Sequence, residues 1–159
     1  MIQKPYEVII IGSGATGGMA ALTMAKAGVR VLVIERGSEL DLQRAIGSEP
    51  CNSMRRIIGL AKGKYQNQPQ HPGFWKSNPL LYADKTTNPY EYKSKEPFIW
   101  TQGNQVGGRS LTWGGITLRL AKEDFEASKE KEYNLEWPIS YKDIESHYSD
   151  IENFLKIYG

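Results

Sequence analysis

Residues 7–11, EVIII, form a continuous β-branched run, the pattern of a short strand buried on both faces of a parallel sheet. Glycines interrupt it, and from Gly18 to Ala27 the residues are small or apolar with good helix propensity. Gly28 stands where a helix C-terminal glycine belongs, and RVLVIE at 30–35 is a second apolar run. Strand, helix and strand in so short a span predict a right-handed βαβ unit over residues 1–37.

The pattern then breaks. Residues 38–105 hold six of the eight prolines among scattered Gln, Asn and Tyr, with no sustained period. RRIIGLAKGK (55–64) predicts a short helix, while LLYADK, YEYKSK and PFIWTQ predict short strands of a meander. A structureless loop of this length is uncommon inside a compact domain, so the stretch reads as an irregular, short-strand excursion packed against a partner surface. Beyond a second glycine stretch (106–120), AKEDFEAS predicts a helical turn or two. Ser140 with Asp143 three residues on is a capping-box variant, and Ile144, Tyr148, Ile151, Leu155 and Tyr158 recur at helical spacing. A helix within 140–158 is expected to follow.

Composition narrows the class. A chain of 159 residues has room for one domain, and 40% hydrophobic with 24% charged residues is the balance of a soluble globular protein. Twenty basic and 18 acidic residues are dispersed, with no basic block for nucleic acid or lipid headgroups. Cys51 is the only cysteine, which excludes an internal disulfide framework and a cysteine-rich zinc site, and no metal site is expected. The opening MIQKPYEVIIIG has an apolar run too short for a membrane span and passes into a glycine turn instead of a cleavage site, so a cytoplasmic location is expected.

The chemistry begins with GSGATG, comprising Gly12, Ser13, Gly14, Ala15, Thr16 and Gly17, a G-x-G-x-x-G that follows a strand and opens a helix. In that setting the first glycine permits the tight turn, the second lets the backbone approach a pyrophosphate, and the third lets the helix sit close to the strand. Glu35 ends the second strand at roughly the 20-residue spacing of an acid that hydrogen-bonds a ribose diol, and its charge argues against a 2′-phosphate. Arg36 either turns over the adenosine or points into solvent. FAD and NAD share this fingerprint. The second stretch, VGGRSLTWGG (106–115), is idle in a nicotinamide site. Gly107, Gly108 and Ser110 could present consecutive N–H groups as an anion nest, with Trp113 along a flat ring system; a β-turn with a core tryptophan is the alternative.

Taken together, VIIIGSGATGGMAA, VLVIERG, QVGGRSLTWGGITLR (105–119) and WPISYKDIESHYSDIENFLKIYG (137–159) resemble the N-terminal part of the glucose–methanol–choline (GMC) flavin oxidoreductases, closest to the bacterial sugar and alcohol dehydrogenases and the pyranose oxidase branch. The resemblance implies an α/β, Rossmann-like FAD-binding domain. Gly12, Ser13, Gly14, Ala15, Thr16, Gly17, Glu35 and Arg36 would hold the ADP half, and Gly107, Gly108, Ser110, Trp113 and Gly114 would lie along the flavin half. Where some relatives carry a histidine linked to the flavin, this chain has Thr112, so the FAD is expected to be noncovalent. The resemblance also implies oxidation of a sugar or alcohol by hydride transfer to flavin N5, with a catalytic base in a C-terminal part that this chain lacks. No catalytic residue is therefore expected here: His71 and His147 do not match the family's pair, and the chain by itself would be inactive. Two convincing strands are too few for a nucleotide-binding sheet, so the fold is expected to be completed by C-terminal segments or a complementary chain. A noncatalytic module that associates with such a chain, and an NAD-dependent Rossmann dehydrogenase, are the competing readings.

Overall fold

A computed structural model describes residues 5–41, 43, 47–65, 68–70, 72–76, 78–84, 86, 88–93, 95, 98, 102–126 and 137–158. It divides into two compact units, 1–113 and 114–159.

The first unit opens with β1 (Val8–Ile11), α1 (Ala15–Lys26) and β2 (Val31–Ile34). β1 and β2 pair in parallel, with Val8 opposite Val31 and Ile11 opposite Ile34. α1 starts three residues earlier than the small-residue run suggests, because the glycines belong to the helix. A Cβ on Gly17 would collide with the Gly12 carbonyl and stand 3.3 Å from the Ile10 side chain, so glycine is what lets helix and strand approach. The helix ends as its sequence predicts: Gly28 is left-handed at φ +83, its N–H bonds the Ala25 carbonyl, and the Val29 N–H bonds that of Met24. This is a βαβ unit, the opening of an α/β fold.

One expectation fails. β1 is not buried on both faces: Ile9 is 60% and Ile11 87% exposed, whereas Val8 and Ile10 on the other face are half-buried. Strand side chains alternate between faces, and among the described residues only the α1 side is covered.

After β2 the chain builds a small core of its own. α2 (Glu49–Ala61) begins six residues before the predicted helix because Ser48 takes the N-cap position and Pro50 sits in the first turn, where its missing N–H costs nothing. α2 buries Asn52, Arg56 and Gly59. Phe74, from α3 (Pro72–Lys76), is fully buried with its ring 5.4 Å from that of Tyr65, and the Phe74 carbonyl accepts the Arg56 Nε–H at 3.0 Å. Arg56 Nη1 also donates to Glu49 at 3.0 Å and to Ser53 Oγ at 3.3 Å. The predicted meander is absent where the structure describes it. Pro79–Leu81 form a 3-10 turn because the Asn78 side chain accepts the Leu80 N–H at 3.0 Å, and residues 90–93 join no ladder. Most of PFIWTQ lies outside the described residues. The return path runs beside β2's exit: Ser38 and Gln105 form a parallel bridge, with Val106 N–H to Ser38 O at 3.0 Å.

In the second unit, α4 (Lys122–Glu126) and α5 (Tyr141–Leu155) bring Phe125, Trp137, Tyr141 and Tyr148 into one aromatic cluster. The Asp143 carboxylate accepts the Ser140 N–H and hydroxyl, each at 2.7 Å, and these bonds hold its pKa below the usual carboxylate value. α5 stops at Leu155, where Lys156 turns left-handed at φ 56, so Tyr158 lies beyond the helix. Arg119 grips Glu152 through two nitrogens, at 2.7 and 2.6 Å, and lies over the Tyr148 ring. No helix among the described residues is long and apolar enough to cross a membrane.

Candidate functional site: the two glycine stretches and the strand-end acid

Gly12 leaves β1 at φ +94, a conformation that excludes most side chains, and its N–H bonds the Ile34 carbonyl at 2.8 Å, so the loop is tied to the end of β2. A Cβ on Gly12 or Gly14 would point into open space, with nothing within 4 Å. The first bond of α1 runs from Gly18 N–H to Gly14 O at 2.8 Å, which leaves the N–H groups of Ala15, Thr16 and Gly17 ahead of the first helical hydrogen bond. No side chain caps this end and no acid occupies its first turn. An uncapped helix start beneath a glycine cradle suits an anion, because its N–H donors and the positive end of the helix dipole favour negative charge there.

Glu35 is bound into the same loop. Its Oε2 accepts the Ser13 N–H at 2.8 Å and the Ser13 hydroxyl at 2.6 Å, and its Oε1 accepts the Gly37 N–H at 2.8 Å. The Ser13 hydroxyl, followed by the Gly37 and Ser13 N–H groups, holds the carboxyl down at about 2 against an ordinary 4.5, so it is ionised at physiological pH. The Arg36 N–H adds a weaker contribution, so the carboxylate is held by donors from both the first glycine loop and the turn that follows β2. Arg36 is exposed, and its Nε donates to Asn104 Oδ1 at 2.9 Å and its Nη2 to Gln102 at 3.4 Å, which turns it toward the returning excursion.

The second glycine stretch is organised differently from its sequence reading. Gly107 and Gly108 are both left-handed, at φ +88 and +54, and head a 3-10 turn over Gly108–Thr112. The Gly107 N–H goes to Ser13 Oγ at 3.0 Å, the Gly108 N–H to Gln105 O at 2.9 Å, and the Ser110 N–H to Gly107 O at 3.2 Å. The proposed nest of free donors is therefore not formed, because the turn and the first loop take up all three. What the stretch does is approach: a Cβ on Gly108 would stand 3.5 Å from Gly14 Cα. Trp113 closes the turn, 51% exposed, and Thr112 Oγ1 donates to Arg109 O at 3.1 Å. Gly114 begins the second unit and has open space where a Cβ would be.

Two contributions were missed in the sequence. Gln105, 2% exposed, holds the turn through its side-chain N–H to Gly108 O at 3.0 Å, and nothing in its neighbourhood advertises this. Ser13 was placed among cofactor ligands, yet its side chain joins protein to protein. Beside Ser38 opens a cavity of about 250 Å³ walled by Tyr65, Tyr82, Asp84, Asn104 and Gln105. His147 is exposed on α5, 3.9 Å from Asp150, and His71 lies outside the described residues. No cluster of metal-ligating side chains occurs among the described residues.

The FAD binding domain family model matches residues 5–77. That span begins before β1 and includes the first glycine loop and Glu35. The chain carries an FAD-binding domain. Over 160 residues and 99% of its length it is 26% identical to a paromamine 6′-oxidase of Streptomyces fradiae, covering 24% of that protein. It is 22% identical to the fructose dehydrogenase large subunit of Gluconobacter japonicus over 96% of the chain and 27% of the relative, and 23% identical to the gluconate 2-dehydrogenase flavoprotein of Pantoea cypripedii over 98% and 25%. The chain thus spans about a quarter of the length of these relatives. Its FAD-binding domain is distantly related to oxidase and dehydrogenase flavoproteins. The residues present fit the cofactor: the cradle over Gly12 and Gly14 and the uncapped α1 suit a pyrophosphate, and the ionised Glu35 suits an unphosphorylated ribose.

Proposed function

We propose that this chain is the cofactor-binding segment of a GMC-type oxidoreductase that oxidises a hydroxyl of a sugar or alcohol. The observation that carries the reading is the first glycine loop, open at Gly12 and Gly14 and joined through Ser13 to both Glu35 and Gly107. An NAD site gives no role to that second connection. When bound, the flavin supplies hydride acceptance at N5. The chain's own work is to bind and orient. The first turn of α1 meets the pyrophosphate, Glu35 accepts a ribose hydroxyl, and the 107–113 turn lies toward the flavin half. The match to proteins named for fructose, gluconate and paromamine supports a polyhydroxylated substrate class.

The FAD is held noncovalently. Thr112 offers no imidazole for a linkage, and its hydroxyl is bonded within its own turn. Titration of the full chain with FAD and with NAD tests the cofactor, with tighter binding of FAD expected; tighter binding of NAD would overturn the reading. Acid precipitation should release all the flavin into the supernatant, and colour kept by the pellet would contradict noncovalent binding.

A second reading, association with a complementary polypeptide, is favoured by the exposed sheet face at Ile9 and Ile11. Native mass measurement after purification from the source cells separates the two, since a stable monomer at the chain's own mass counts against a partner.

A further inference from the structure

Ser13 occupies the first x of the fingerprint, where a side chain beside the phosphates would be expected to serve them. Its bonding leaves it nothing to serve them with. A serine has two donors, its N–H and its O–H, and both go to Glu35 Oε2, at 2.8 and 2.6 Å. The hydroxyl oxygen accepts the Gly107 N–H at 3.0 Å, across 94 positions of sequence. What remains is acceptor capacity, and phosphate oxygens offer no proton to it. Around this hydroxyl the backbones also touch, since Gly108 faces Gly14 with only 3.5 Å for a Cβ. We propose that the Ser13 hydroxyl is a positioning group and not a cofactor ligand: it clamps the second glycine stretch to the first and fixes Glu35 between them, setting the spacing across which FAD is held. The proposal rests on the FAD reading for its effect on affinity, but the clamp itself is a property of the cofactor-free chain.

The bond to Glu35 is charge-assisted, and the bond from Gly107 ties together segments that no backbone ladder among the described residues joins directly. Removing the hydroxyl orphans a backbone N–H and loosens the acid at once, whereas threonine retains the hydroxyl. The experiment uses the full chain and its Ser13→Ala and Ser13→Thr variants, read by amide hydrogen exchange without FAD and by titration with FAD. In the unsubstituted chain the Gly107 amide should exchange slowly. In Ser13→Ala it should exchange about tenfold faster or more, with the Gly12 amide unchanged, and FAD should bind about tenfold more weakly, the loss typical of one hydrogen bond to a charged group. Ser13→Thr should restore both. In the Ser13→Ala, Glu35→Gln double variant the loss of affinity should be less than the product of the separate losses, because the two groups act as one.

Weaker FAD binding in Ser13→Ala with unchanged Gly107 exchange would make Ser13 a direct ligand and overturn the proposal. Rapid Gly107 exchange in the unsubstituted chain overturns it without reference to any variant. A chain that takes up no FAD would instead sink the cofactor reading, and the cofactor-free exchange comparison would still decide the clamp.

Discussion

The two glycine stretches are alike in composition and opposite in use. Both begin with left-handed glycines at the head of a helical turn, at φ +94 for Gly12 and φ +88 for Gly107. At the first, the N–H groups of Ala15 to Gly17 stand ahead of the helical ladder with no cap. At the second, the N–H groups of Gly107, Gly108 and Ser110 are already bonded within the protein. A glycine cluster therefore shows only that backbone comes close to something; where its N–H groups end decides whether that something is a ligand or another part of the chain. Here the first stretch leaves its helix-start N–H groups uncapped, as a receiving surface would, and the second spends its own N–H groups inside the protein.

Substitutions can break this contrast, and the largest effect is expected at Gly17. A Cβ there meets the Gly12 carbonyl, which is backbone and cannot swing away, so Gly17→Val should destabilise the cofactor-free chain by about 3 kcal/mol. Chemical denaturation measures it. At Gly14, with open space and an ordinary φ of −66, Gly14→Ala should leave cofactor-free stability within about 0.5 kcal/mol. The same methyl should weaken FAD binding roughly tenfold or more, because it stands where the pyrophosphate approaches. Gly107→Ala should show the reverse order. Its left-handed backbone should cost about 1–2 kcal/mol of cofactor-free stability, and its loss of affinity should follow from that disturbance alone. Equal profiles for Gly14→Ala and Gly107→Ala would erase the distinction.

The smallest effect is on pH. Glu35 is depressed in the folded chain to about 2 from 4.5, so its contribution to stability is fully present above the ordinary value and is lost as pH falls through about 2. A carboxyl-detected NMR titration should find that midpoint in the unsubstituted chain. In Ser13→Ala, which lacks the largest cause of the depression, the midpoint should rise toward 4.5.

Much of the first stretch was legible because each of its signals is local. The β-branched runs, the glycines at fixed offsets, Gly28 past the helix and Glu35 at the strand end each act within a few residues or one βαβ unit. The excursion was misread where side chains overrode a plausible pattern. LLYADK has the aromatic, apolar texture of a strand, but Asn78 captures the Leu80 N–H and closes a turn. Arg56 in a core was equally invisible, since its partners Phe74 O and Glu49 come together only after folding. The second stretch was recognised and its mechanism mistaken for the same reason. Whether a Gly107 N–H is free depends on Ser13, and no sequence period connects them.

Amide hydrogen exchange across residues 12–17 and 107–110, with and without FAD, tests the central claim most directly. Protection on adding FAD should appear at Ala15, Thr16 and Gly17, while Gly107, Gly108 and Ser110 should be protected already and change little. Free exchange at 107–110 that becomes protected only with FAD, together with no change at 15–17, would contradict the account.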